Sequence, residues 1–332
     1  VAGWDALLRN VRKRSEHSGR KYARYCKGYW KRYKKLRKQR FQRTIGNLKS
    51  MLDKRPEPYP VRPEGTVGRP PTPPKTILIA VMFKVLLELS YLDTESFLRW
   101  VSNNGLLVDV PAASTIQQHV REIPQEYLYA LLMESAAVLK GNEITILMDA
   151  TGLSTEQYGR WRSARTSSRK IKRRFVKLHI SVALETKMIL VGIPSKGWKG
   201  DHQFGLRMLD HLRRTMRRSG FEVERVIADA GYLSRVMATE IETLGGEPSI
   251  RLKSNTTAKA GSHPAYRRMV LRAKRDPDEF QKMYCYRVVI EGIISALKSL
   301  FGHRVASRKR HNQDVEILCR LILWNYGRLE LA

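Results

Sequence analysis

Three carboxylates could carry chemistry in this sequence. Asp149 and Asp229 each stand where an apolar run gives way to a loop, and Glu291 lies inside an apolar helical stretch. Ile144-Thr145-Ile146-Leu147-Met148 reads as a buried strand ending on Asp149, and Val223-Glu224-Arg225-Val226-Ile227-Ala228 as a second ending on Asp229. If the two strands are parallel neighbours, their carboxyl ends share one crevice edge, the usual place for a site in an α/β sheet. Adjacent carboxylates repel, and one tends to stay protonated unless a cation lies between them. Mg²⁺ meets that need, because it is a hard cation that takes oxygen ligands and keeps waters for a substrate phosphate; Mn²⁺ can substitute. With Glu291 as third carboxylate, the set forms a two-metal clamp, one ion serving the attacking oxygen and the other the leaving oxygen.

Residues Tyr284 to Phe301 read as one helix. At 100° per residue, Tyr284, Arg287 and Lys298 fall within about 40° of Glu291. Val289, Ile293, Ala296 and Leu300 take the opposite side, with Ile290, Ile294, Leu297 and Phe301 on the flank. So apolar a helix packs against a sheet and leaves its polar stripe at the lip. One reading of the stripe is a solvated edge with an Arg287–Glu291 pair at i, i+4, worth about 0.3–0.5 kcal/mol. The other is an active-site face, with Glu291 on a metal and Tyr284, Arg287 and Lys298 on phosphates. The two strand-end aspartates favour the second.

These positions need a scaffold, and the apolar pattern supplies one. After the Asp149 strand come two strand-like runs, Val176–Leu184 and Met188–Ile193, as an antiparallel continuation. Asp201 caps a helix to about Arg218. The Asp229 strand follows, then a helix (Ser234–Leu244) and a strand (Pro248–Leu252), with Lys253 just beyond. The Tyr284–Phe301 helix and a last apolar helix, Val315–Leu329, complete the pattern. This is the ribonuclease H-like order, an α/β fold with a mixed sheet flanked by helices, and it spans 141–332. Upstream, 76–140 reads as an all-helical domain. Ile77–Leu89 is a buried helix, Asp93 and Thr94 cap a helix ending at Asn104 with Gly105 behind it, and Ser114 with Gln117 forms a capping box. Such short helices permit a helix-turn-helix module, with Gln117, Gln118, His119 and Arg121 facing a groove. Residues 56–75 are a Pro- and Gly-rich linker. Residues 1–55 form a basic helical arm, whose Tyr22, Tyr25, Tyr29, Tyr33 and Leu36 make an aromatic seam.

The formal net charge of +31 implies a polyanionic partner, and nucleic acid is the commonest one. The arm would neutralise phosphates with a strongly salt-dependent affinity. Cys26, Cys285 and Cys319 are scattered without CxxC spacing, which argues against a zinc site and suits a reducing cytoplasm. His119, His179, His263 and His303 lack metal-ligand spacing and read as structural. No apolar run approaches the roughly 20 residues of a membrane span. Val1-Ala2-Gly3-Trp4 lacks the form of a signal peptide and an initiator methionine, so the natural start is expected to be trimmed or to lie upstream.

Asp149-Ala-Thr-Gly, Ala228-Asp229-Ala-Gly-Tyr232 and Tyr284-x2-Arg287-x3-Glu291-x6-Lys298 together resemble insertion-sequence transposases of the DDE type. The likeness is greatest to the four/five-like superfamily with the Tyr-Arg-Glu-Lys signature, and it covers about residues 75–330. The resemblance implies a DNA transposase that hydrolyses transposon ends and transfers the freed 3′-hydroxyl into target DNA. Asp149 would bind both metals, Asp229 one and Glu291 the other, while Tyr284, Arg287 and Lys298 would hold the transposon end by its phosphates. Arg165 and Arg173, in the basic loop following Asp149, and Lys253 read as further DNA contacts. The Asp229–Glu291 interval is too short for the large β-insertion of some relatives, so Trp161 and Trp198 read as packing or strand-edge residues. Asp201-His202 resembles an acidic-histidine pair of relatives, although helix capping is the simpler account. The expected partner is double-stranded DNA, bound by a homodimer that pairs two ends, in the cytoplasm on the nucleoid. Two other readings keep the fold. One is a domesticated, non-catalytic DNA-binding protein, against which the intact triad argues; the other is a ribonuclease H-like nuclease that cuts without joining.

Overall fold

The strands of this protein are apolar on both faces, so alternate residues feed two cores, one on each side of the sheet. The computed structural model describes residues 38–39, 42–61, 71–103, 110–155, 175–197, 200–259 and 263–329. Its strands are β1 (Glu143–Ser154), β2 (Phe175–Ala183), β3 (Ile189–Lys196), β4 (Glu222–Ala228) and β5 (Glu247–Ile250). They form one sheet in the order β3-β2-β1-β4-β5. The β1–β2 and β2–β3 pairs are antiparallel, and β1–β4 and β4–β5 are parallel. This is the mixed, ribonuclease H-like sheet expected from the sequence. Leu147 and Leu153 of β1, Leu178, Ile180 and Val182 of β2 and Ile227 of β4 enter one core. Ile144, Ile146 and Met148, with Val223, Val226 and Ala228, enter the other. Because successive side chains of a strand point to opposite faces, a shift of one residue would exchange the two sets.

The face carrying Leu147 is covered by helices from distant parts of the chain. These include a helix over 42–53 (α1), α2 (Pro74–Leu86), α3 (Tyr91–Asn103), α4 (Ala113–His119) and α5 (Gln125–Ser135). From the other side of the sheet strands in sequence come α10 (Val288–Phe301) and α11 (Arg310–Tyr326). Leu48, Leu52, Ile77, Leu78, Leu128 and Leu131 share one continuous core with α10, α11 and the sheet. The opposite face is covered by α6 (Asp201–Ser219), α7 (Arg235–Thr243) and α8 (Pro264–Arg275). A further helix, α9 (Pro277–Tyr284), leads into α10. Asp276 caps α9 by accepting from the Glu279 amide at 2.8 Å, with Pro277 at the first helical position, where its missing N–H costs nothing. Gly220, at φ 70°, ends α6 in the left-handed conformation that glycine takes without strain.

Several local expectations change. The cap of α3 is Ser90, whose Oγ accepts from the Asp93 amide at 3.1 Å while donating to the Asp93 carboxylate at 2.6 Å. Ser114 does not open α4; Ala112 precedes it, and the Glu95 carboxylate of α3 accepts from the Ala113 amide at 2.6 Å. A tertiary acceptor here replaces the local capping box. Gly105 lies outside the described residues.

The last helix is buried almost all round from Asp314 to Tyr326, polar residues included. Asn325 is fully buried. Its Oδ1 accepts from the Ile189 amide at 2.8 Å, and its Nδ2 donates to the Ile189 carbonyl at 2.7 Å and to Ser135 Oγ at 2.8 Å. One side chain thus satisfies both backbone groups at the start of edge strand β3. Asn325→Leu leaves both unpaired and is expected to cost about 2–4 kcal/mol in urea unfolding. A loss below about 0.5 kcal/mol, the usual scale of a neutral surface change, would show that the tie carries no stability.

Candidate active site

Register brings the two aspartates together. Met148 of β1 and Ala228 of β4 are paired across the parallel ladder, and Asp149 and Asp229 are the next residues on each strand. Asp149 has the parity of Leu147, and Asp229 that of Ile227, so both point to the face covered by α10. The expected strand end at Asp149 is partly corrected. The parallel pairing stops there, but β1 continues against β2 as far as Ser154.

The single helix expected over 284–301 is three pieces: α9 ends at Tyr284, a 3₁₀ turn covers Cys285–Arg287, and α10 begins at Val288. The two helices pack on different strands, α9 on β5 and α10 on β1, and the tighter turn takes up the change of direction. The buried set is Ile290, Ile293, Ile294, Leu297 and Phe301, while Ala296 is exposed. The polar stripe survives the break. Tyr284 Oη donates to Asp229 Oδ1 at 3.3 Å. Arg287 Nη2 donates to Asp149 Oδ2 at 3.0 Å, and Nη1 to Glu291 Oε1 at 2.8 Å. One guanidinium therefore joins carboxylates from β1 and α10 that are far apart in the chain. The Asp149 carboxylate is 14% exposed and that of Glu291 54%.

Electrostatics follow from this placement. Burial raises the Asp149 carboxyl above the usual carboxylate range, and Asp229 adds to the effect, against the Ala150 amide and Arg287, which lower it. For Arg287, burial alone would lower the pKa, but Asp149, Tyr284 and Asp229 outweigh it and the guanidinium is held charged. Burial raises Tyr284 as well, so its hydroxyl keeps its proton.

Among the described residues, no three carboxylates, imidazoles or thiols stand close enough together to hold a metal ion. The donor chemistry nonetheless suits one. Hard carboxylate oxygens converge on a position of positive charge, which Arg287 supplies in this arrangement. Asp149, Asp229 and Glu291 would be the ligands, once the guanidinium turns its charge elsewhere.

The other expected site residues are less closely joined. Lys298 is on the last turn of α10, about 10 Å along the axis from Glu291, and makes no hydrogen bond or ion pair among the described residues; burial lowers its pKa. Lys253 is exposed, and its backbone amide donates to Thr256 Oγ1 at 2.9 Å within a turn. Arg165 and Arg173, like Trp161 and Trp198, lie outside the described residues. Sequence reasoning missed Arg251. It follows β5 at the same sheet edge, its amide donates to the Ala228 carbonyl at 3.1 Å, and its guanidinium lies 5.8 Å from the Tyr284 ring centroid. Its place directly after an apolar strand was the available signal.

Beneath the site, on the opposite face, lies a second polar cluster. Asp201 does not cap α6, since Gly200 precedes the helix and Asp201 is its first residue. Its carboxylate pairs with Lys177 Nζ at 2.7 Å and stands 3.4 Å from His179 Nδ1. His179 is fully buried, stacked on Phe204 at 4.4 Å, with Nε2 3.0 Å from Ser195 Oγ and Nδ1 3.4 Å from Tyr232 Oη. Tyr232 closes the turn after Asp229, so this cluster supports that turn from below. A Cβ on Gly231 would sit 3.1 Å from Asp201 Oδ2, so the close approach favours glycine there.

Burial pushes His179 down to about 4, against Asp201, which raises it. Between pH 6.5 and about 4 the unfolded chain therefore binds a proton that the fold refuses. Stability is expected to fall as pH drops through this window, by about 3 kcal/mol at its lower end. Urea midpoints measured from pH 7 to 4.5 check it: His179→Asn should flatten the acid limb, and an equally steep limb in that variant would contradict the assignment.

Residues 140–326 match a family model described as the transposase DDE domain. Comparison with curated proteins found no match. Among solved structures, the piggyBac transposase synaptic complex with hairpin DNA is similar at 11% identity and a TM-score of 0.35, covering 86% of this chain and 71% of that one.

Proposed function

This chain belongs to the transposase DDE domain family, and from that membership we propose that it cleaves transposon ends in double-stranded DNA and joins the freed 3′-hydroxyl to target DNA. The supporting observation is that, at the carboxyl edge of β1 and β4, Arg287 joins Asp149 to Glu291 while Tyr284 bonds the neighbouring Asp229. Tyr284, Arg287, Glu291 and Lys298 are consistent with the four/five-like superfamily. When bound, Mg²⁺ or Mn²⁺ held by the three carboxylates would supply Lewis-acid activation of the attacking and leaving oxygens. The chain's own contribution is positioning and charge, as in phosphoryl transfer generally. A phosphate at the site offers Arg287 a bidentate acceptor, onto which the guanidinium can swing as it releases Asp149 and Glu291. Tyr284, kept protonated, orients Asp229 or donates to the same phosphate, and Arg251 backs its ring.

In the first step, water attacks the phosphorus at the transposon end, and the P–O3′ bond breaks to leave a 3′-hydroxyl. In the second, that hydroxyl loses its proton and attacks a target phosphorus, and the target's own O3′ departs and is protonated. One phosphodiester replaces another, so no nucleotide cofactor is consumed. Lys298, Lys253, Arg165 and Arg173 would hold the DNA on either side. The arm (1–55), the linker (56–75) and the helical segment (76–140) would serve DNA binding, and 141–332 catalysis. The working unit would be a homodimer on two ends, acting in the cytoplasm at the nucleoid.

Asp229→Asn is expected to keep duplex affinity while Mg²⁺-dependent end cleavage falls to background; undiminished cleavage by that variant refutes the reading. Arg287→Gln removes the internal counter-ion. Calorimetric titration without DNA should then show Mn²⁺ binding several-fold tighter than in the native protein, with DNA binding weakened. Equal or weaker Mn²⁺ affinity would mean that Arg287 and the cation do not compete.

A further inference from the structure

The chain leaving β4 crosses from one face of the sheet to the other within a single turn. Asp229 points to the face covered by α10, whereas Tyr232, 2% exposed, is packed into the core on the opposite face. The Tyr232 amide donates to the Asp229 carbonyl at 3.0 Å, closing a 3₁₀ turn over Ala230–Tyr232. Ser234 then caps α7, its Oγ accepting from the Met237 amide at 3.0 Å. The backbone that carries Asp229 is therefore set by where the Tyr232 ring lies. That ring has little room to move, because even a Cβ on Gly205 of α6 would stand 3.2 Å from it.

The hydroxyl at the tip of the ring is fixed too. Burial keeps the Tyr232 phenol protonated and the His179 imidazole neutral. A neutral imidazole carries one N–H and one bare nitrogen. With Nδ1 bare, it accepts from Tyr232 Oη at 3.4 Å, Nε2–H donates to Ser195 Oγ at 3.0 Å, and Ser195 Oγ donates to the Lys196 carbonyl at 3.3 Å. Every donor in this chain then has an acceptor. The opposite tautomer turns an N–H toward the buried Tyr232 proton and leaves that proton without an acceptor, at the full cost of desolvating it. Asp201 Oδ1 also stands 3.4 Å from Nδ1 but makes no hydrogen bond among the described residues; its charge faces Lys177 Nζ at 2.7 Å. Asp201 on one side, and Asp149 and Asp229 on the other, push the Tyr232 pKa up further, so its ring lies in the field of both polar clusters.

We propose that Tyr232 is a positioning residue for Asp229: its hydroxyl, donating to a His179 held in the Nε2-protonated tautomer, fixes the turn on which the Asp229 carboxylate rides. Without that hydroxyl the ring keeps its slot but its tip is untied. Asp229 then loses the fixed setting beside Asp149 that a shared cation requires. Groups standing behind metal ligands commonly matter on this scale, and removing one typically costs about 10- to 100-fold in metal affinity or activity. This role rests on Asp229 being a metal ligand, and Tyr232 itself touches neither metal nor DNA.

The first test uses the full native chain with nitrogen-15 in its histidine rings, the His179 signal being the one lost in His179→Asn. Long-range proton–nitrogen correlation at neutral pH should show Nδ1 bare and Nε2 protonated; the reverse tautomer overturns the proposal. In calorimetric titration with Mn²⁺ alone, Tyr232→Phe should then bind about 10-fold more weakly than the native chain. The Mn²⁺ concentration that half-saturates end cleavage should rise by a similar factor, with duplex affinity unchanged. Tyr326→Phe also removes a buried hydroxyl, one that donates to the Leu131 carbonyl of α5 at 3.5 Å, and should move neither metal readout. Equal losses in the two variants reduce the effect to stability and overturn the proposal, as does native Mn²⁺ affinity in Tyr232→Phe. Cleavage that persists in Asp229→Asn refutes the catalytic reading instead, whereas an inactive Asp229→Asn beside a native-like Tyr232→Phe refutes only the role of Tyr232. If Tyr232→Phe is unfolded at the assay temperature, Ser195→Ala takes its place by removing the acceptor that holds the tautomer. Unchanged Mn²⁺ affinity in that variant overturns the proposal.

Discussion

Everything at the candidate site turns on one guanidinium. Arg287 spans Asp149 and Glu291, and no other described contact ties the α10 carboxylate to the sheet. Without a cation between them, Asp149 and Asp229 would stand side by side with their repulsion unrelieved, in a place where burial already disfavours charge. An arginine suits this role better than a lysine, since its planar fork reaches two acceptors at once and stays charged when partly buried. The contact also explains how this helical stretch can be interrupted by a 3₁₀ turn and still present one polar stripe. Tyr284 and Arg287 fall in line through the tight turn, and Arg287 reaches Glu291 one α-helical turn later.

Polar groups buried elsewhere do comparable positioning work. Asn325 closes the edge of β3, Glu316 and Arg320 shape the chain between α10 and α11, and His179 with Asp201 underpins the turn after Asp229. In each case a helix side chain satisfies backbone or side-chain groups that hydrophobic packing would have left unpaired. The apolar core determines how the layers stack, while these contacts determine where loops end.

Much of this was legible beforehand, for definite reasons. The element order and the two aspartates could be read because β1 and β4 are short continuous apolar runs, buried on both faces, and because both runs stop abruptly on a carboxylate. The Tyr284, Arg287 and Glu291 stripe could be read because helical spacing tolerates one tightened turn. Caps read less well. Ser114 looked like a helix start, but Glu95 from another helix took that role, and Asp201 looked like a cap but turned its carboxylate to Lys177. Local pattern cannot see an acceptor supplied from elsewhere in the fold. Arg251 was missed for a related reason, since its significance lies in the ring of Tyr284, thirty-three places on in the chain and adjacent only after β4 and β5 pair.

The shared core of the first and last helices bears on the order in which this protein can mature during synthesis. β1 leaves the ribosome long before α10 and α11, which supply Arg287, Glu291 and much of the cover for its inner face. Until those helices emerge, that face lacks much of its cover and its aspartate has no counter-charge. A chain halted anywhere short of its final helices would therefore hold the sheet edge with Asp149 and Asp229 but neither Arg287 nor Glu291, so the candidate site is complete only once synthesis is nearly finished.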